Sequence, residues 1–309
     1  MSKEEKVVFK GGTKIKKGAS GITFDIIKYA LLTIASIICV VPFILIISGS
    51  FSSNEVIMRE GYGFLPKEFT TEAYQAIFKY PQEILNAYEM TIYYTGVGTA
   101  VGLTVIVLTA YVISRKTFKY RNVVSFLIYF TTIFGGGMVP WYLMYTTILG
   151  LKGSTFIIWF PAIMTPFFVI LMRTFITGSV PDAIIESAKI DGAGEGKILL
   201  RIVLPVLGPG LATVGLFLAL GYWNDWYRSS LFSTSKSTYE LQFYLYNMIN
   251  SAKALQEMSE SGAGVGAISV PSQTTKLAMA VVTTGPVLLF YPFVQKYFVS
   301  GITVGAVKG

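Results

Sequence analysis

Glu186-Ser187-Ala188-Lys189-Ile190-Asp191-Gly192-Ala193-Gly194-Glu195-Gly196-Lys197-Ile198-Leu199-Leu200-Arg201-Ile202-Val203-Leu204-Pro205 decides how this chain is read. The stretch is a charged island between two long apolar segments. Ionisable side chains are expensive in lipid, so it does not lie there. Its ends run straight into apolar sequence, which holds it at a membrane face. Ser179-Val180-Pro181-Asp182 resembles a capping box with proline in the first turn, so the spacing predicts a helix beginning there. Ile184, Ile185 and Ala188 share one face of that helix, with Asp182, Glu186 and Lys189 elsewhere. Gly192-Ala193-Gly194 breaks it. A second short helix, from about Glu195 to Ile202, leads through Leu204-Pro205 into the next apolar run. The shape suits a docking surface, and equally an amphipathic hairpin resting in the interface without a partner.

Composition supports a membrane setting. Of 309 residues, 53% are hydrophobic and 14% charged, with a mean hydropathy of +0.59; soluble domains carry about 25% charged residues. The net charge of +8 comes from Lys and Arg spread over short flanks, as beside membrane helices, and not from a nucleic-acid-binding face. The single cysteine, Cys39, excludes an intrachain disulfide. Histidine is absent, which removes the commonest general base and zinc ligand.

Six segments reach the roughly 20 residues that a hydrocarbon core of about 30 Å requires: 26–48, 90–113, 122–148, 154–177, 204–224 and 277–298. The uncharged run from Tyr29 to Ile47 exceeds a signal-peptide core of roughly 7–15 residues, so the first segment reads as an anchor despite Ser48-Gly49-Ser50. The N-terminal tail, 1–25, carries Lys3, Lys6, Lys10, Lys14, Lys16 and Lys17, with Lys28 just beyond it. The loop after the second span carries Arg115, Lys116, Lys119 and Arg121 without an acid. Positive-inside then places both termini, that loop and the 179–205 loop in the cytoplasm, and the 49–89 and 225–276 loops outside. Trp141, Trp159, Trp223 and Trp226 all fall toward the outer ends of spans under this topology.

Several spans carry breakers: Gly135-Gly136-Gly137 and Pro140 in the third, Pro161 and Pro166 in the fourth, Gly285-Pro286 and Pro292 in the sixth. Interrupted backbone survives in a membrane where protein or a water-filled cavity satisfies it. Kinked helices in a packed bundle and a translocation path lined by the breaks both fit. Gly98-x-x-x-Gly102 in the second span permits close helix contact, as ordinary packing does.

Glu-x-Ala, with Gly192 at the seventh position and Ile-x-Leu-Pro ten residues beyond it, resembles the signature loop of ABC importer permeases. Ser187 departs from that family's Glu-Ala-Ala opening by one small residue. Phe134-Gly135-Gly136-Gly137-Met138-Val139-Pro140, Leu171-Met172-Arg173-Thr174-Phe175, Ile190-Asp191-Gly192-Ala193 and Trp223-Asn224 are similar to the carbohydrate branch. So is the ending Gly301-x-Thr-x-Gly305-x-Val-Lys-Gly309, and the likeness is strongest to subunits serving oligosaccharides or polysaccharide fragments. It covers about residues 20–309.

The resemblance implies an all-α integral membrane protein of six transmembrane helices with a cytoplasmic coupling-helix loop, in the cell membrane of a bacterium. It implies that Ile184, Ile185, Glu186, Ser187, Ala188, Asp191, Gly192, Ala193 and Pro205 serve coupling to an ATPase. Glu186 would pair with a basic residue there, Ile184, Ile185 and Ala188 would pack, and Gly192 would allow the turn. The implied partners are a second permease subunit, two copies of a cytoplasmic ABC ATPase that uses ATP and Mg, an extracytoplasmic solute-binding protein and a sugar. The chain itself would bind no cofactor.

Gly192-Ala193-Gly194-Glu195-Gly196-Lys197-Ile198 superficially resembles a phosphate-binding loop. The glycine spacing is one residue short and Ile198 stands where Ser or Thr would hold magnesium, so nucleotide is expected on a partner. For the substrate path the candidates are Trp223, Asn224, Asp225, Tyr94 and Trp141. Flat apolar faces beside polar groups suit sugar rings, and they also suit an interfacial aromatic belt. Tyr93, Tyr142 and Tyr145 share the ambiguity. The 225–276 loop, with Gly262, Gly264 and Gly266, fits contact with the binding protein or a disordered loop. An ABC permease for another solute is the nearest alternative reading. An ion-coupled transporter would place ionisable residues at mid-membrane, and none of the six spans has one at its centre. A membrane-embedded enzyme fits poorly without histidine or paired intramembrane carboxylates.

Overall fold

The computed structural model describes residues 19–79, 81–260 and 273–306. Lys3 to Lys17 of the basic tail, Gly262, Gly264 and Gly266, and the last three residues lie outside the described residues.

The apolar run after the tail forms α1 (Ala19–Ser50), which includes Pro42 and packs along the last helix. Its Ile22, Leu31, Ile38 and Phe43 are exposed, as expected of a helix whose solvent is lipid. The 49–89 segment is not an open loop. It forms α2 (Asn54–Glu60) and α3 (Glu72–Ile77), and an isolated bridge joins Ser52 to Phe69. Phe51 stacks on Phe69 at 5.6 Å and on Tyr74 at 4.8 Å.

The second span is α4 (Pro81–Ser114), 34 unbroken residues, about 50 Å at 1.5 Å per residue. It packs against the fifth span closely enough that a Cβ on Gly98 would lie 2.4 Å from the Tyr222 ring. Gly102 similarly lies against the backbone of Ile163. Between helices in lipid, where apolar transfer supplies little drive, such small-residue contacts carry the association.

The expected third span, 122–148, is not one continuous helix. It divides into α5 (Arg121–Ile133) and α6 (Met138–Leu143), the latter continuing as a π-helical turn, Met144–Ile148. The two halves meet at 117°. The chain leaves α5 in extended conformation at Phe134 and re-enters helix at Gly137, and Pro140 falls in the first turn of α6, where its missing N–H has no intrahelical acceptor to serve. The fourth span bends by 48° between α7 (Phe156–Trp159), extended by a 3-10 turn at Phe160–Ala162, and α8 (Pro166–Ser179), with Pro166 at its start.

The charged island folds as α9 (Asp182–Ile190) and α10 (Glu195–Ile198), a π-helical turn at Leu199–Val203 and α11 (Leu204–Val206). The expected capping box does not form. Ser179 is spent as the last residue of α8, and Pro181 takes the position ahead of α9 without a side-chain cap. The fifth span then starts later than 204. Glu195–Val206 meets α12 (Gly208–Trp223) at 83°, so Leu204 and Pro205 belong with the island.

The 225–276 segment contains α13 (Tyr227–Phe232), a 3-10 turn at Lys236–Thr238 and α14 (Leu241–Glu260), so its first half is helical. The chain closes with α15 (Gln273–Ala306), which runs through Pro286 and Pro292 without the interruption those residues suggest. Proline at 286 removes the donor to the carbonyl four residues earlier. That carbonyl, on Val282, accepts a 2.6 Å bond from the Tyr88 hydroxyl instead, the substitution by a neighbouring helix that lets proline persist in a membrane span.

The main core joins α4, α5, α8 and α12 to Ile185, Ala188, Ile198, Leu199 and Val203 of the island. The hairpin is therefore welded to the bundle through one face.

Candidate functional site

Two regions concentrate polar chemistry, one at the C-terminal end of α4 and one along its N-terminal half. The first is the hairpin. Its turn is closed by backbone alone: Gly192 N–H donates to Lys189 O at 3.0 Å and Ala193 N–H to Ala188 O at 2.9 Å. Gly192 sits at φ +79°. This pattern ends a helix with a left-handed residue that only glycine adopts without strain. The faces divide unequally. Ile185 and Ala188 are buried in the chain's own core, and Ala193 packs partly against it. Glu186, Ser187, Asp191, Gly192 and Pro205 are exposed, with Ile184 at 49% and Ile190 at 86%.

Charges tie the hairpin to the end of α4. Lys116 Nζ lies 2.6 Å from Asp182 Oδ2, and Lys189 Nζ 2.6 Å from Glu195 Oε1. The Tyr111 hydroxyl donates to the other Glu195 oxygen. The Lys189 and Tyr111 bonds hold the Glu195 carboxyl below its usual range despite some burial, and the Lys116 bond does the same for Asp182.

The second region surrounds the N-terminal half of α4 and the start of α14. Tyr94 is buried and donates to Thr238 O at 3.3 Å. Trp223 is buried among Ala87 and Leu241, with Nε1 donating to Thr283 O at 3.3 Å. Trp141 is half-buried, tilted against Phe232 at 4.9 Å. The Asp225 carboxylate accepts from the backbone N–H groups of Tyr227 and Arg228 and pairs with the Arg228 guanidinium, so it caps α13. Asn224 is exposed, donating to Leu220 O at 3.0 Å and accepting from Gln242 at 3.3 Å. Of the expected path residues, Tyr94, Trp223 and Asp225 make internal contacts, Trp141 is half-buried and Asn224 is exposed. Trp159 and Trp223 are core residues, not belt residues.

Among the described residues, Glu240 is the charged side chain most completely buried, at 1% exposure. It accepts from Ser229 Oγ at 2.6 Å. Burial, with the Asp225 charge added, pushes its carboxyl up to about 8. Next to it, Thr91 Oγ1 on α4 accepts the Leu241 N–H at 2.9 Å.

The chain is 36% identical over 287 residues, 93% of its length and 98% of the relative's, to a polygalacturonan/rhamnogalacturonan transport system permease, YtcP, of Bacillus subtilis. It belongs to the carbohydrate ABC transporter permeases. It is also 34% identical over 291 residues to LplC of the same organism, covering 94% of this chain and 96% of that one. Its fold matches a chain from the crystal structure of a bacterial ABC transporter involved in import of the acidic polysaccharide alginate, at a TM-score of 0.74 and 30% identity, over 91% of this chain and 99% of the other. No family model matches the chain.

In this carbohydrate ABC permease, the helix and glycine turn of the hairpin are legible in the sequence, and its attachment to α4 is not. Tyr111 lies near the end of an apolar span and Glu195 in a glycine-rich turn, and nothing in their spacing pairs them. Glu240 carried a fainter signal: no other acid stands between Asp225 and Glu257, and an apolar-periodic helix begins at the next residue.

Proposed function

We propose that this permease is one of two transmembrane subunits in an ATP-driven importer, and that α9 and its Gly192 turn form the helix that docks on a cytoplasmic ATPase. The observation that carries this reading is the two-faced hairpin: Ile185 and Ala188 anchor it in the bundle, while Ile184, Glu186 and Ile190 face outward beyond the membrane spans. Docking would use that outward set, with Glu186 toward a basic residue and the isoleucines filling an apolar groove. Of the coupling candidates, Ile185 and Ala188 act as anchors. Both termini and the hairpin lie on the cytoplasmic side, and the segments 49–89 and 225–276 outside, where an extracytoplasmic binding protein delivers substrate. Two ATPase copies close around ATP and Mg, draw the coupling helices of a permease heterodimer together and switch the six-span bundles between inward- and outward-facing states. This chain supplies no ATPase site of its own.

The cargo is a set of polysaccharide fragments, and acidic ones are favoured, because the relatives at 30% identity and above include a polygalacturonan/rhamnogalacturonan transport system permease and a chain of an ABC transporter involved in the import of alginate. The test is ATP hydrolysis by the reconstituted complex with its binding protein. Trigalacturonate is expected to stimulate it about tenfold more than maltotriose at equal concentration, the scale of one charge-assisted hydrogen bond. Stimulation by maltotriose with none by trigalacturonate or alginate oligomers contradicts the acidic assignment.

A further inference from the structure

We propose that Glu195 is a positioning residue that carries movement of the α9–α10 hairpin into α4, and through α4 to the segment holding Glu240. The inference rests on the coupling reading of the hairpin and adds the route by which force leaves it.

Glu195 stands where three donors converge. Lys189 reaches it from the end of α9, Tyr111 from the last turn of α4, and Arg115 from just beyond that helix. These contacts are not equal. Lys189 and the Lys116–Asp182 pair are well exposed, and solvated ion pairs contribute little. Tyr111 is buried, and the Arg115 side chain is only 11% exposed. The Glu195 side chain itself is 48% exposed, and of its bonds the one from a buried hydroxyl to its carboxylate belongs to the stronger class.

Arg115 adds a second arrangement. Its guanidinium lies over the Tyr111 ring at 5.6 Å, and its Nε is buried without a hydrogen-bond partner among the described residues. Glu195 Oε2 is 3.9 Å away, about 1 Å beyond bonding distance. A buried N–H of a cation left unpaired is costly. A shift of the hairpin by about that 1 Å toward α4 completes the bond, so the contact has two positions differing by one strong interaction.

The rest of the route is rigid. α4 is one unbroken helix packed along α12 and α8. In the N-terminal half of α4, Thr91 holds the Leu241 N–H and Tyr94 holds the Thr238 carbonyl. These two bonds bracket Glu240. A displacement entering α4 at Tyr111 therefore leaves it at 238–241.

The experiment is hydrogen exchange on the full complex in lipid nanodiscs, nucleotide-free and vanadate-trapped. In the natural chain, trapping is expected to change exchange both in 182–198 and in 238–241. In Glu195→Gln and in Tyr111→Phe, the change in 182–198 persists and that in 238–241 shrinks about tenfold. Glu195→Asp restores most of it, and the double variant loses no more than either single one, because both remove the same bond. Retention of the full change at 238–241 in both single variants overturns the proposal. Loss of the response in 182–198 as well also overturns it, since Glu195 would then be a general prop for the hairpin. No response in 182–198 even in the natural chain removes the coupling reading itself.

Discussion

Replacing Gly192 with proline is expected to leave the chain in the membrane and to abolish both its association with the ATPase and uptake. Gly192 holds φ +79° and its N–H closes the turn onto Lys189. Proline is locked near −65° and has no N–H, so the turn that aims α9 outward cannot form. The combined cost is at least about 3 kcal/mol, more than a hundredfold in affinity. Gly192→Ala keeps the N–H and pays only the left-handed strain, about 1–2 kcal/mol, for roughly a tenfold weakening. Glu186→Lys leaves the backbone alone and reverses the outward charge, so it separates docking from folding. Co-purification with a tagged ATPase and sugar uptake read the outcome. Wild-type behaviour of Gly192→Pro and Glu186→Lys together contradicts the docking assignment.

The second large effect lies beside the N-terminal half of α4. Glu240 has its carboxyl raised by burial from 4.5 to about 8, with Ser229 donating to it and the Asp225–Arg228 pair facing it. Between those values the unfolded chain has released the proton and the folded chain retains it. Stability is therefore full below the lower value and falls as pH rises toward the upper one, by a few kcal/mol at most. Thermal unfolding of the nanodisc-held protein is expected to lose several degrees between pH 5 and pH 8. Glu240→Gln, which keeps the shape and cannot ionise, is expected to flatten that dependence. Parallel pH profiles for the two proteins contradict the buried, protonated state.

Much of this architecture can be read from local chemistry. The apolar runs mark the spans, and the glycines after Ile190 mark the turn, because both signals depend on neighbours in sequence. What escapes is settled between elements. Pro286 reads as a break, yet Tyr88 from α4 supplies the missing bond and α15 continues. Gly135 to Gly137 read as a kink, and the chain turns through 117°, since no side chain there resists it. Trp223 and Asp225 carry the residue types of a sugar site, and their sequence gives no sign of the internal bonds they make to Thr283 O and to the Tyr227 N–H. Ile185 and Ala188 lie on the helix face that periodicity selects, but which body that face meets depends on the bundle, and it meets its own.

The coupling role of the hairpin is tested most directly by a photoreactive side chain at Ile190, the most open isoleucine of α9, in the assembled complex. Irradiation is expected to join this chain to the ATPase subunit, with the same probe at buried Ile185 giving no such product. Attachment at Ile190 only to lipid or to the second permease contradicts it.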